Sequence, residues 1–184
     1  MSVLEIHVLG SPILREQTVP VEGITDEIRR LSDDMFETMH AAKGIGLAAP
    51  QVGRKERLFV CDVDGARYTF VNPELLYTEG RDKAEEGCLS IPEIFGDVER
   101  PAIARMRGLD LEGNLFEVEA SDLLARCLQH ELDHLNGRLF LDHLSILRRR
   151  SAISKWEKMR SDFPSLKRTV SAKDIATHHG GDEL

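Results

Sequence analysis

A chain of 184 residues with 41% hydrophobic and 30% charged side chains has the composition of one soluble globular domain with ample material for a core. Its formal net charge of −8 argues against broad nucleic-acid binding. No apolar run approaches the ~20 residues of a membrane span, and Met1-Ser2-Val3-Leu4-Glu5 lacks the basic and apolar regions of a secretory signal. Three scattered cysteines, Cys61, Cys88 and Cys127, suit a reducing compartment in which they serve as core residues or ligands.

In chain order, Gly10-Ser11-Pro12-Ile13-Leu14-Arg15 predicts a turn with one helical turn, and His7 reads as structural or solvent-facing. Thr25 is an N-cap candidate, and Ile28, Leu31, Met35 and Met39 form an apolar stripe at helical spacing. Together they predict a helix over 25–43, with His40 placed favourably against the dipole at its end. Gly44-Ile45-Gly46-Leu47-Ala48-Ala49-Pro50-Gln51 follows. It lacks the third glycine of a dinucleotide fingerprint and reads as a tight turn or a place of close backbone approach to a ligand, with Gln51 offering an amide donor.

Residues 57–120 read as antiparallel β structure. Strands over 58–63 and 66–71 flank Asp64-Gly65, a two-residue hairpin signal, and 75–78 is a further short strand. Strands over 103–109 and 115–118 flank Glu112-Gly113-Asn114. Between these groups lies Glu85-Glu86-Gly87-Cys88-Leu89-Ser90-Ile91-Pro92, where Cys88 follows a glycine and precedes an irregular segment able to present a thiolate. Cys61, inside an apolar strand, reads as a buried small hydrophobe.

Ser121 and Asp122 offer N-cap oxygens, Leu124, Cys127, Leu128, Leu132 and Leu135 repeat at helical spacing, and Asn136-Gly137 supplies a stop, so 122–136 is a helix. Inside it Gln129-His130-Glu131-Leu132-Asp133-His134 contains H-E-x-x-H. Residues four apart share a helix face, so His130 and His134 can address one cation, while Glu131 is a candidate base for a metal-bound water. The longer metzincin pattern runs through Gly137 but fails at Phe140, which cannot ligate. A third ligand must come from elsewhere. Cys127, one turn before His130, would have to reach past that ring, so geometry favours Cys88, with Cys127 packing beside the site.

The stretch 145–161 reads as a helix made basic by Arg148, Arg149, Arg150, Lys155, Lys158 and Arg160, either a solvated surface or a dock for a polyanion. Pro164 ends it. The expected organisation is one catalytic domain over 1–164 and a mobile polar tail over 165–184, with His178-His179 incidental.

Taken together, Gly44-Ile45-Gly46-Leu47-Ala48-Ala49-Pro50-Gln51, Glu86-Gly87-Cys88-Leu89-Ser90 and the H-E-x-x-H stretch resemble the three motifs of peptide deformylases, in the family's order. Gly10-Ser11-Pro12 with Leu14-Arg15 also looks like the family's N-terminal segment, and the resemblance spans roughly residues 3–160. It implies an α+β fold in which mainly antiparallel sheets surround a central metal-binding helix, with an N-terminal and a C-terminal helix. It implies a bacterial-type cytoplasmic hydrolase that removes the formyl group from the N-terminal formylmethionine of new polypeptides and releases formate. Cys88, His130 and His134 would hold one divalent metal, Fe(II) in the cell, with Zn(II), Ni(II) or Co(II) in purified protein. Glu131 would be the general acid/base, and Gln51 and the Leu89 N–H the oxyanion donors. Ile45 and Gly46 would pair with an extended peptide, Ile45 and Cys127 would line the methionine pocket, and Glu86 would orient a ligand by hydrogen bonding. Arg126 departs from the aliphatic residue common at that position, which leaves open whether the pocket rim is more polar. The basic helix resembles the extension with which some bacterial relatives dock on the ribosome, without membrane attachment or sequence-specific nucleic-acid contact. Two other readings compete: a zinc endopeptidase, from the H-E-x-x-H helix alone, and a non-catalytic Cys/His metal site.

Overall fold

The computed structural model describes residues 2–170. Strand β1 (Ile6–His7) leads through a short 3-10 turn (Pro12–Arg15) to helix α1 (Asp26–Ala41). The Thr25 hydroxyl accepts the Ile28 N–H at 3.3 Å, and Asp26 and Glu27 stand in the first turn, where the helix dipole favours negative charge. The predicted stripe of Ile28, Leu31, Met35 and Met39 is buried against Leu47, Leu58, Val60, Val71 and Leu89.

After β2 (Gly46–Ala48) and a 3-10 turn (Ala49–Val52) come β3 (Leu58–Val63), β4 (Ala66–Glu79), β5 (Asp82–Cys88), β6 (Ile91–Arg100), β7 (Ile103–Leu109) and β8 (Leu115–Ser121). Helix α2 (Asp122–Leu135), a 3-10 turn (Phe140–His143), helix α3 (Ile146–Met159) and strand β9 (Lys167–Arg168) follow among the described residues. One sheet has the order β2-β3-β4-β7-β8, a second is the hairpin β5-β6, and a third pairs β1 with β9. Among the described residues every strand pairing in these sheets is antiparallel, with one isolated parallel bridge between Val19 and Glu56, which gives the expected α+β class.

The Asp64-Gly65 hairpin forms as predicted. Val63 pairs with Ala66, and both turn residues have positive φ (51° and 83°), the geometry that lets a two-residue loop follow the strand twist. The short strand expected over 75–78 is not separate; it continues β4. The sequence suggests a break because Pro73 has no N–H, but a bulge absorbs it. Asn72 adopts φ 51° there, and its side-chain amide bonds both the N–H and the carbonyl of Val21 at 2.8 Å.

Three further expectations need correction. Ser121 precedes α2 without capping it, because its hydroxyl donates to Asp122 Oδ2 at 2.7 Å. The stretch around Cys88 is not irregular but a hairpin, in which Cys88 pairs with Ile91 across a two-residue turn. Its charge hides it: Asp82, Lys83, Glu85 and Glu86 are poor strand formers until partners are supplied from elsewhere in the fold. The tail expected from residue 165 begins as structure, since Lys167 and Arg168 pair with His7 and Ile6. Residues 171–184, with His178 and His179, lie outside the described residues.

Helix α2 crosses the five-stranded sheet and buries Ala125, Cys127, Leu128 and Leu135 against Phe59, Phe70 and Met106. Burial of each large side chain is worth about 1.5–3 kcal/mol, so the helix that carries H-E-x-x-H is fixed by the main core. Asn136 ends it and Gly137 turns left-handed at φ 71°. Among the described residues no helix is long and apolar enough to cross a membrane.

Candidate active site

Helix α2 presents His130 and His134 one turn apart, and the last residue of β5 brings Cys88 to them. Cys88 Sγ lies 3.3 Å from His134 Nε2, which lies 3.2 Å from His130 Nε2, and all three side chains are at most 1% exposed. His130 Nδ1 donates to Glu86 Oε2 at 3.0 Å, so its Nε2 faces the other two atoms with a lone pair. Burial first, and then the neighbouring His130, lowers the His134 pKa well below the ordinary imidazole value and keeps that ring neutral. A thiol sulfur and two imidazole nitrogens within 4.8 Å of one another form a soft donor set that fits a divalent transition-metal ion.

Cys127 does not join this group. Its Sγ donates to the Ile45 carbonyl at 3.6 Å. A hydrogen bond with Cys61, and then burial, raises its pKa well above the usual thiol value, which keeps it a thiol.

Glu131 is fully buried, and neither carboxylate oxygen has a hydrogen-bond partner among the described residues. Burial, followed by the charge of Cys61, raises its pKa well above the ordinary carboxylate value. The backbone of β2 lies directly on it. A Cβ at Gly46 would collide with Glu131 Oε1 and stand 2.9 Å from both Glu131 Cδ and Cys127 Sγ. Gln51 is oriented at both ends of its amide: Oε1 accepts the Ala48 N–H at 2.8 Å, and Nε2 faces Cys88 Sγ at 3.6 Å and Ser90 Oγ at 3.2 Å. Leu89 occupies the turn between β5 and β6, pinned by Leu9 N–H donating to the Ser90 carbonyl at 2.9 Å. Ile45 and Gly46 lead into β2, the edge strand of the main sheet.

Glu86 anchors a buried charge network that spacing alone did not reveal. Arg100 grips both its oxygens, through Nε to Oε1 at 2.5 Å and Nη2 to Oε2 at 3.0 Å, and reaches Asp133 with Nη1 at 3.0 Å. Asp133 also accepts from His143 Nε2 at 2.7 Å. Burial alone would raise the Glu86 pKa, but hydrogen bonds from His130 and Arg100 outweigh it and hold the carboxyl well below its ordinary range. Arg126 makes no polar pocket rim. It is 4% exposed and commits its guanidinium to Glu86, Asp82 and the Val98 carbonyl. A charge amid apolar helix residues could have pointed to Arg126, whereas Arg100 follows Asp97 and Glu99 and carries no such signal.

A model of the family described as polypeptide deformylase matches residues 3–150. The chain belongs to the polypeptide deformylase family. A peptide deformylase of Alkalilimnicola ehrlichii is 52% identical over 163 residues, which cover 86% of this chain and 92% of the relative. The crystal structure of a peptide deformylase from Legionella pneumophila superposes with a TM-score of 0.83 at 42% identity, covering 87% of this chain and 96% of that one. The Ehrlichia chaffeensis peptide deformylase, solved in complex with actinonin, also gives a TM-score of 0.83, at 43% identity, with 86% and 98% covered. The chain is thus an enzyme of the deformylase class, a metal-dependent hydrolase with a Cys/His/His cluster at its centre.

Proposed function

We propose that this deformylase removes the formyl group from the N-terminal formylmethionine of newly made polypeptides, releasing formate, with Cys88, His130 and His134 as ligands of a divalent metal. The observation that carries this reading is the buried Glu131 carboxylate, without a hydrogen-bond partner among the described residues, on the helix whose two histidines converge with Cys88. When bound, a divalent ion makes water acidic enough to supply a nucleophile near neutral pH.

The chain's own groups do the rest. Glu131, with its raised pKa, suits both taking the proton from water and returning it to the departing methionine nitrogen. Gln51 Nε2 and the Leu89 backbone N–H donate to the formyl oxygen as charge develops on it, worth roughly 3–4 kcal/mol per donor in comparable sites. Ile45 and Gly46 at the edge strand suit pairing with an extended peptide, and Ile45 with Cys127 lines the methionine side chain. A formamide carbon carries only hydrogen, so it enters where a bulkier acyl group would clash.

We assign Fe(II) as the ion in the cell. The same thiolate and imidazole set accepts Zn(II), Ni(II) or Co(II), and the sulfur makes an Fe(II) form sensitive to oxidation. Three protein donors among the described residues, rather than four, favour a catalytic over a closed structural site. We assign the activity to the cytoplasm. Docking to the ribosome through α3 is supported by exposed Ile146 and Leu147, at 72% and 77%, beside Arg149 and Arg150.

The decisive assay is formate release from formyl-Met-Ala-Ser by Fe(II)- or Ni(II)-loaded protein, with internal peptide bonds left intact. Cleavage of internal bonds instead would favour the endopeptidase reading, and no turnover by metal-loaded protein a non-catalytic site. Replacing Arg149 and Arg150 by glutamate should weaken ribosome co-sedimentation without slowing deformylation; unchanged co-sedimentation refutes the docking role.

A further inference from the structure

Arg126 stands one turn before His130 on α2, and its side chain crosses to the strand that ends in Cys88. Nη1 donates to Glu86 Oε1 at 2.7 Å and to the Val98 carbonyl at 2.9 Å. Nη2 donates to the Asp82 carboxylate at 2.8 Å and to the Asp82 carbonyl at 3.0 Å. Asp82 and Glu86 both lie on β5, an even number of residues apart, so they face the same side of that strand. One planar guanidinium therefore fastens β5, at two of its residues, and β6, at Val98, to the helix that carries both histidines.

We infer that Arg126 is a positioning residue for the metal centre, holding the cysteine-bearing strand in register with the histidine-bearing helix. The inference rests on the assignment of Cys88, His130 and His134 as ligands. Two features make the role specific. Arg126 Nη1 and Arg100 Nε both donate to Oε1 of Glu86, while Oε2 takes Arg100 Nη2 and His130 Nδ1, so the carboxylate has one way to face that ring. The fork is also matched to two carboxylates at once, which a point-charged lysine cannot bridge. Arg100 contacts Glu86 independently, so removing Arg126 loosens the seam without dissolving the network.

The test is the dissociation constant for Ni(II), measured by chelator competition on the full chain. Arg126→Leu should raise it at least about tenfold, the usual cost of losing a group that orients a ligand, and Arg126→Lys should fall between Leu and wild type. In a Glu86→Gln background the same Arg126→Leu change should cost less than in wild type, because the part of its effect that runs through Glu86 is already weakened while the Asp82 and Val98 contacts remain. Ile28→Ala, in the core of α1 and outside the Arg126 hydrogen-bond network, supplies a destabilised control, and it should keep wild-type Ni(II) affinity. The inference falls if folded Arg126→Leu binds Ni(II) as wild type does. It also falls if Ile28→Ala, at an equal loss of melting temperature, weakens the metal as much. Cys88→Ala retaining Ni(II) at wild-type affinity would instead overturn the ligand assignment itself, and the inference with it.

Discussion

Gly46→Ala is a methyl group aimed at the proposed base. The new Cβ would overlap Glu131 Oε1 and meet Cys127 Sγ at 2.9 Å. The carboxylate is the tip of a flexible side chain, so it swings aside and the fold survives. Overpacking against Cys127 costs about 1–3 kcal/mol, which for a chain of this size lowers Tm by roughly 2–12 °C. Catalysis suffers more. A displacement of about 1 Å in a catalytic group costs on the order of 100-fold, or about 2.7 kcal/mol of barrier. Complete loss of the base sets a ceiling near 10⁴-fold. The loss should fall on kcat, because Gly46→Ala leaves Cys88, His130 and His134 untouched. Formate release, bound metal per chain and melting temperature measured together decide the matter. A metal-replete variant with kcat within about threefold of wild type would refute the placement of Glu131 as the proton-transfer group.

Other outcomes follow from the same geometry. Gln51→Ala removes Nε2 beside Cys88 and should lower kcat by about 10²–10³-fold with metal retained, as the loss of one oxyanion donor does elsewhere; steady-state kinetics checks this. Glu131 has a raised pKa in the fold, so the folded state holds its proton longer than the unfolded state, and its burial costs stability increasingly as pH rises above about 4.5. Metal-free Glu131→Gln should therefore be more stable than metal-free wild type at pH 7 in denaturant titrations. The gap should close as pH falls below about 4.5, and a gap that persists there would contradict the burial argument. Gly137→Ala should destabilise by about 1–3 kcal/mol, because that residue has φ 71° and a Cβ there would stand 2.5 Å from the Arg15 carbonyl oxygen; thermal melting tests it.

What could be read before the structure was what is local. The stripe of Ile28, Leu31, Met35 and Met39, the Asp64-Gly65 turn and the spacing of His130 and His134 each carry a periodicity or a steric demand within a few residues. The place of Cys88 in the donor cluster was reachable by elimination, because Cys127 lies too close to His130 along α2 to converge on the same point. The hairpin of β5 and β6 was not legible, since its charged residues become strand only when Arg100 and Arg126 neutralise Glu86 from fourteen and forty positions away. The pairing of Lys167–Arg168 with Ile6–His7 is likewise set by chain ends that meet only in the folded state. The role of Arg126 was invisible for the same reason. A side chain suited to a polar rim is instead buried across two strands, and only the positions of Asp82 and Val98 reveal it.

X-ray absorption at the metal edge of Ni(II)-loaded protein, compared with Cys88→Ala, tests the centre most directly. One sulfur and two imidazole nitrogens are expected around the ion, with the sulfur shell lost in the variant. A spectrum without sulfur, or one unchanged by Cys88→Ala, would contradict it.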